Sequence, residues 1–145
     1  MKKENTQVGF AINGIKTEQF AIFEENYAPK KNTSLGTELQ FKLDQTNKQI
    51  AVFLEFEFTQ GKKVFLKIQV SCHFKIEESS WKSFIQENQL IVPKGFLAHL
   101  AMITTGTSRG LLFAKTEGTL FSKFIVPTLN VAEIIQEDAT FDIDE

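Results

Sequence analysis

The sequence predicts an α+β fold in which a four-stranded antiparallel sheet is followed by helices packed on one of its faces. Two observations predict it. Apolar and polar residues alternate through most of the first half of the 145-residue chain, as in strands that have one buried and one wetter face. In the helical part that follows, apolar residues recur at spacings of three and four.

Four strands are predicted in the first half. Residues 7–24 form the first, with Asn13-Gly14 as a bend or bulge signal. A polar segment that contains Pro29 separates it from the second. Because short turns connect the later runs, we expect antiparallel pairs with one face toward the core. The last three strands are predicted over residues 38–43, 50–59 and 64–76.

The alternation of the last two strands assigns side chains to faces. Cys72 falls on the apolar face and is expected to be a small buried residue. His73 and Phe65 fall on the opposite face, where His73 is expected to be exposed. Glu55 and Glu57 project from that face too; they could act as paired carboxylates, but exposed sheet acids are the simpler interpretation.

A short helix is predicted after the fourth strand. Ser79 or Ser80 can cap its N-terminus, since a hydroxyl there accepts a hydrogen bond from a free backbone N–H. Trp81, Phe84 and Ile85 are spaced to form one apolar stripe.

A longer helix is predicted next, with Pro93 in its first turn. It ends within residues 105–110 or continues to Phe113, since the two glycines of that segment disfavour an uninterrupted helix. Asn130 is placed to cap a last helix through Ile134. The apolar face of the long helix comprises Phe96, Leu97, Leu100, Ala101, Ile103 and Thr104.

Composition excludes several classes of protein. Acids outnumber bases 18 to 16, and the net charge of −2 argues against a general nucleic-acid binder. A single cysteine cannot form an internal disulfide, and we predict no metal site and no cofactor. We find neither a run of about 18 apolar residues nor a signal peptide. We therefore expect a soluble, cytoplasmic protein without membrane insertion.

Phenylalanine and charge are unevenly distributed. The chain has 15 Phe but one Trp and one Tyr; because Phe has no polar group, each ring belongs in the core, in an interface or under a ligand. Residues 133–145 hold six acids and no base, while residues 1–132 have 16 bases and 12 acids. We predict one domain over residues 1–136 and a short acidic tail over 137–145, which either aids solubility or attracts a basic partner or the body's own lysines.

No motif indicates an enzyme. Residues 105–110 contain two glycines but lack the lysine spacing of a phosphate-binding loop. Ser108 and His99 could be combined with an aspartate into a triad, but no nucleophile-elbow pattern supports it. His99 is better explained as helix surface or hydrogen-bonded core. The expectation is a protein without catalytic activity.

Five short segments follow one another in the second half of the chain: Phe74-Lys75-Ile76-Glu77, Ile91-Val92-Pro93, Phe96-Leu97-Ala98, Thr107-Ser108-Arg109-Gly110 and Val126-Pro127-Thr128-Leu129-Asn130-Val131. Their order and spacing, together with the order of the predicted elements, resemble the SecB family of export chaperones from about Val8 to Gln136. Two departures bear on function: residues 111–123 are longer than the usual family version, and the tail lacks the polar stretch and basic end by which export members contact the SecA zinc-binding region. These departures weaken the export role more than the chaperone role.

The resemblance implies an ATP-independent holdase that binds unfolded polypeptides in apolar grooves, as a homotetramer built from two dimers. The clients would be preproteins for export, with the SecA export motor as a further partner, or an antitoxin guarded by a dedicated chaperone. The alternative is a structural or adaptor module that binds one folded partner. The family's crossover between its first two strands corresponds to residues 27–35. The groove candidates, each with burial in the core as the alternative, are Phe23, Tyr27, Leu35, Phe96, Phe113, Phe121 and Phe124.

Overall fold

The computed structural model describes residues 7–143. Four strands form the main sheet: β1 (Phe10–Ile22), β2 (Ser34–Asp44), β3 (Gln49–Gln60) and β4 (Lys63–Ile76). They are antiparallel in the spatial order β1-β4-β3-β2, so β1 and β2 lie at opposite edges and residues 23–33 cross between them. The predicted α+β fold with a four-stranded antiparallel sheet is confirmed. A crossover between the first two strands is present, but it spans residues 23–33 instead of the predicted 27–35, and Leu35 belongs to β2.

β1 is bulged where the sequence predicts it. Its register against β4 shifts between Ile12 and Gly14, and again between Thr17 and Gln19. At the first bulge the chain passes close to His73, because a Cβ on Gly14 would lie 3.4 Å from the His73 Cβ. The bulges twist this edge strand.

A bulge in β4 corrects the predicted orientation of Phe65. Phe58 pairs with Leu66 and Thr59 pairs with Val64, so Phe65 is an extra residue without a partner opposite it. Because the extra residue shifts the alternation, Phe65 is fully buried rather than on the outer face.

One helix closes the core. α2 (Lys94–Thr116) lies across β3 and β4, and the apolar side chains on the inner face of those two strands are almost completely buried. Cys72 is fully buried, as predicted, while His73 lies on the other face and is half-buried.

α2 is longer than predicted. It passes through Gly106 and Gly110 and ends at Thr116. Its buried Thr and Ser hydroxyls donate to carbonyl oxygens one turn back, as Ser108 Oγ does to Thr104 at 2.7 Å, so the helix seals its own polar groups inside the core. Pro93 takes the N-cap position just before the first turn.

The short helix α1 (Glu78–Ser83) also differs from its prediction. Its N-cap is Glu77, without a side-chain cap. Ser80 Oγ instead accepts a hydrogen bond from the Gly9 backbone N–H at 2.8 Å. The predicted apolar stripe is divided, because Trp81 and Phe84 are buried whereas Ile85 leaves the helix and is exposed.

A second, three-stranded sheet was not predicted. β5 (Ile85–Gln86), β6 (Gln89–Val92) and β7 (Ala139–Asp142) are antiparallel in that order. Half of the predicted acidic tail is therefore ordered as an edge strand. The nearby Asp138 carboxylate accepts a hydrogen bond from the Lys94 backbone N–H at 2.8 Å and so caps α2 from a distant part of the chain.

The chain between α2 and β7 packs along α2. It contains a 3₁₀ turn (Leu120–Lys123) and the one-turn helix α3 (Val131–Ile134). Asn130 takes the N-cap position of α3, but its side chain makes no capping bond. No helix within residues 7–143 is long and apolar enough to span a membrane.

Candidate functional site

Five aromatic rings form a cluster at the end of the main sheet where β3 turns into β4. The Tyr27 ring centroid lies 5.0 Å from that of Phe65 and 5.3 Å from that of Phe121. Phe124 lies 4.9 Å from Phe65 and 5.7 Å from Phe58. We call these five residues the aromatic cluster; the crossover, the bulge of β4 and the chain after α2 bring them together.

The aromatic cluster unites three predicted groove residues, namely Tyr27, Phe121 and Phe124. Leu35 is adjacent, because it pairs with Phe58 across β2 and β3. Phe121 is 1% exposed and belongs to the core, whereas Tyr27 and Phe124 are half-buried. At the edge of the aromatic cluster, the Lys123 Nζ lies 5.6 Å from the centroid of the Tyr27 ring and 5.4 Å from that of the Phe124 ring, a cation–π arrangement.

The other three candidates lie elsewhere. Phe96 is at the N-terminal end of α2, 5.4 Å from Phe10 between ring centroids. The Phe23 backbone N–H donates to the Phe65 carbonyl at 2.8 Å, and Phe23 is 39% exposed. Phe113 is 46% exposed and makes no ring contact with the others. The seven residues therefore do not form one continuous groove within the described chain.

An uncovered apolar surface runs along β1. Ile12 pairs with Phe74 and Ile15 pairs with Cys72, and directly paired residues point to the same face of a sheet. Both isoleucines therefore face the core side. Yet Ile12 is 44% and Ile15 is 52% exposed, because α2 lies over β3 and β4 instead of β1.

Side chains from α2 close both ends of this surface. At one end, the Phe10 ring packs against Phe96 and lies 5.6 Å from the His99 ring. At the other end, the Lys115 Nζ lies 5.4 Å from the Phe20 ring. We call the surface between these contacts, with Ile12 and Ile15 on its floor, the β1–α2 channel.

The backbone of β1 offers hydrogen bonds beside the channel. Within residues 7–143, β1 pairs with β4 alone. Its outer edge therefore presents N–H and C=O groups that an added strand can pair with. The channel thus combines an apolar floor with a free strand edge.

A cleft of about 540 Å³ lies at the other edge of the sheet. Leu39 and Phe41 of β2 line it on one side, and Glu133, Glu137 and Asp138 line the other. Leu39 and Phe41 are half-buried, whereas Ile134, which also lines the cleft, is 47% exposed.

The back of the sheet is polar and internally paired. The Lys67 Nζ lies 3.3 Å from Glu55 Oε1 and 3.4 Å from Glu57 Oε1. Burial lowers the pKa of Lys67, but its hydrogen bonds and attraction to Glu55 and Glu57 outweigh burial and raise the pKa above its ordinary value. The two carboxylates thus share one cation.

The described chain shows no further cluster of chemical groups. Among residues 7–143, no group of three His, Cys, Asp or Glu side chains could hold a metal ion. The Ser108 hydroxyl is buried and bonded to the helix backbone, whereas His99 is exposed.

Four residues of these surfaces were not predicted from the sequence as site residues: Ile12, Ile15, Phe58 and Phe65. Phe10 and Ile12 alternate before the predicted bend, but no local signal shows which strand a distant helix will leave uncovered. Phe65 was missed because the bulge that turns it inward is invisible to a period-two pattern.

No family model matches the sequence, and no curated protein matches it. Among solved structures, the chain is similar to the SecB-like chaperone Rv1957 of Mycobacterium tuberculosis, which was solved with a ChAD peptide from the Rv1956 HigA1 antitoxin. The TM-score is 0.52 at 12% identity, and the match covers 83% of this chain and 90% of that chain. The fold of this chain is SecB-like.

The SecB-like fold accounts for the main sheet, its crossover and the helices on one face. A protein of unknown function from Streptococcus agalactiae also aligns, with a TM-score of 0.38 and 19% identity, over 86% of this chain and 99% of that chain.

Proposed function

We propose that the protein is an ATP-independent holdase chaperone that binds unfolded polypeptides in the β1–α2 channel. The observation that carries the proposal is the exposure of Ile12 and Ile15 on the face of the sheet that is sealed over β3 and β4. A SecB-like fold supports it.

An extended client would lie along β1 as an added strand. Its backbone would pair with the free edge of β1, while alternate side chains would cover Ile12 and Ile15. Covering the exposed half of each isoleucine contributes about 1 kcal/mol. Because backbone pairing and apolar contact do not depend on a particular client side chain, binding is expected to be promiscuous.

A dedicated antitoxin chaperone is the second candidate. It is favoured by the structural neighbour Rv1957, which was solved with an antitoxin peptide. In this version one segment of one partner would occupy the channel far more tightly than other chains do. In the export version, the clients are preproteins and SecA is a further partner. The proposal also includes a cytoplasmic location, no catalytic activity and assembly into a homotetramer.

The test is suppression of aggregation without ATP. A chemically unfolded client is diluted with and without the protein, and light scattering follows its aggregation. We expect slower aggregation at one chain per client or above. No effect at stoichiometric excess contradicts the proposal, and capture of a single folded partner instead of unrelated unfolded chains favours the adaptor alternative.

A matched pair of variants locates the effect. Ile15→Ser removes an apolar side chain from the channel, and Ile85→Ser removes a side chain that is 41% exposed on the second sheet. We expect the first variant to suppress aggregation poorly and the second to act like the unchanged protein. Equal activity of the two variants would show that the binding site does not lie on β1.

A further inference from the structure

Charge is unevenly divided along the back of the main sheet, the face opposite α2. Glu55 and Glu57 lie on the half nearer the β3–β4 turn, where both contact Lys67. Lys42 and Lys75 lie on the half nearer the β2–β3 turn, in the rows next to that turn. The half near the β2–β3 turn is therefore the more basic one.

A hollow of about 220 Å³ opens in this basic half. Lys42, Ala51 and His73 are paired in one row across β2, β3 and β4, so their side chains point to the same face. Ala51 is small and forms the floor between the two larger side chains. Phe53 and Gln49 line the hollow on either side of Ala51 along β3. The hollow thus combines an apolar floor and wall with polar groups at its edge.

The Lys42 ammonium has an aromatic neighbour but no counter-ion. Its Nζ lies 4.4 Å from the centroid of the Phe53 ring. Within residues 7–143 it forms no ion pair, whereas Lys67 contacts two carboxylates. The Gln49 side-chain amide likewise makes no hydrogen bond in the described part of the chain. Two hydrogen-bond donors that line the hollow therefore remain available to a ligand.

The other polar groups of the hollow are held by their own chain. The Asp44 carboxylate accepts hydrogen bonds from Asn47 Nδ2 at 2.8 Å and from the Asn47 backbone N–H at 3.1 Å, and these bonds lower the pKa of its carboxyl. The charge of Asp44 is therefore directed to the turn. His73 Nε2 lies 2.9 Å from Ser71 Oγ, which fixes the imidazole ring as a wall. Lys42 is the charge of the hollow that is left without a partner.

We propose that this hollow is a docking site for an acidic segment of another protein. One Asp or Glu carboxylate of that segment binds Lys42 Nζ and the Gln49 amide, and its methylene groups contact Ala51 and Phe53. Pockets for small-molecule ligands usually measure about 300–1,000 Å³, so this smaller hollow suits one side chain of a larger partner. The site lies on the opposite face of the sheet from the β1–α2 channel and stays open when a polypeptide occupies the channel.

A nucleic acid fits this surface less well than an acidic peptide does. Proteins that bind single strands stack successive bases on several aromatic rings along a basic groove. On the back of the four described strands, Phe53 is the only Phe, Tyr or Trp. Glu38 and Glu55 are paired two residues further along β2 and β3, where they would repel a phosphate backbone. An acidic side chain needs only the single basic contact that Lys42 provides.

The test is a titration with a blocked peptide, Gly-Glu-Leu-Glu-Gly, observed by NMR at the backbone amides of the protein. We expect saturable shifts at Ala51 and Phe53, and weaker binding in added salt because salt screens exposed charges. Matched peptides with Gln or Lys in place of Glu should bind about tenfold more weakly or worse. Equal binding of the three peptides, no shift at Ala51 and Phe53, or tighter binding of a single-stranded oligonucleotide overturns the proposal.

Two variants test the residues of the hollow. Lys42→Gln removes the charge and should weaken binding of the acidic peptide about tenfold or more; its control is Lys62→Gln, at an exposed lysine in the β3–β4 turn. Ala51→Leu keeps every charge but fills the hollow and should weaken binding similarly. Its control is Ala21→Leu, which adds the same side chain to the back of the sheet beside Lys67. Circular dichroism checks that all four variants fold. Affinities of folded Lys42→Gln and Ala51→Leu equal to those of their controls contradict the site.

Discussion

Ile15 and Cys72 are directly paired across β1 and β4 and point to the same face of the sheet, yet Ile15 is 52% exposed and Cys72 is fully buried. The difference arises because α2 lies over β4 but does not extend over the middle of β1. The same face of one sheet is thus core at one strand and an open apolar surface at the next. The proposed peptide site depends on this uncovered part of β1.

Replacing both channel isoleucines should weaken peptide binding without unfolding the protein. Because Ile12 and Ile15 are about half exposed, we expect Ile12→Ser with Ile15→Ser to lower affinity for an extended apolar peptide about tenfold or more. Fluorescence anisotropy of a labelled peptide measures the affinity, and urea unfolding measures stability. Ile85→Ser is the control. An affinity equal to that of the control would show that Ile12 and Ile15 are not part of the peptide site.

Phe65 should contribute far more to stability than Phe53 does. Phe65 is fully buried and contacts the rings of Tyr27, Phe121 and Phe124, so Phe65→Ala should reduce the free energy of unfolding by about 3–5 kcal/mol. Phe53 is half-buried on the polar face, and Phe53→Ala should cost clearly less. Urea unfolding of both variants measures the difference; similar losses would mean that the bulge does not turn Phe65 into the core.

Asp138 should stabilise the start of α2. Its carboxylate accepts the Lys94 backbone N–H, and the loss of such a cap in Asp138→Ala should cost about 1 kcal/mol. Asp138→Asn keeps an acceptor and should cost less. Hydrogen exchange at the Lys94 amide reports on this contact directly, and unchanged exchange in Asp138→Ala would show that the segment before β7 does not cap the helix.

Cys72 should be unreactive in the folded protein. Burial raises the pKa of its thiol, and hydrogen bonds with Thr104 and Thr107 offset only part of that rise. Since the thiolate is the reactive form, alkylation at pH 8 should be slow until urea unfolds the chain. The raised pKa contributes stability that is complete below the ordinary pKa of the thiol and is lost as the pH rises through the folded pKa. Rapid alkylation without urea would contradict this burial.

Local sequence patterns predicted the main sheet well. The alternation in β3 and β4 predicted which face each side chain occupies, because successive side chains in a regular strand point to opposite faces. Asn13-Gly14 marked the bulge of β1. Phe65 was assigned to the wrong face because a single extra residue inverts the alternation. α2 extends past its predicted end although its glycines have a low helix propensity. Two contributions outweigh that propensity: the hydrogen bonds of the Thr and Ser hydroxyls inside the core, and the packing of the helix on β3 and β4.

Contacts between residues far apart in the chain could not be predicted from the sequence. β6 and β7 are each four residues long and lie far apart in the chain, so neither gave a usable signal alone. The candidate site has the same difficulty. Tyr27, Phe121 and Phe124 were predicted as groove residues and lie together in the aromatic cluster, but the exposure of Ile12 and Ile15 depends on where a distant helix lies.

The most direct test of peptide binding at β1 is a titration observed at the isoleucine methyl groups by NMR. An unfolded polypeptide that cannot refold is added to protein labelled at isoleucine, and the signals of Ile12 and Ile15 are compared with those of Ile85 and Ile125. The account predicts saturable shifts at Ile12 and Ile15 and little change at the other two. Binding that leaves Ile12 and Ile15 unshifted, or no binding at all, would contradict it.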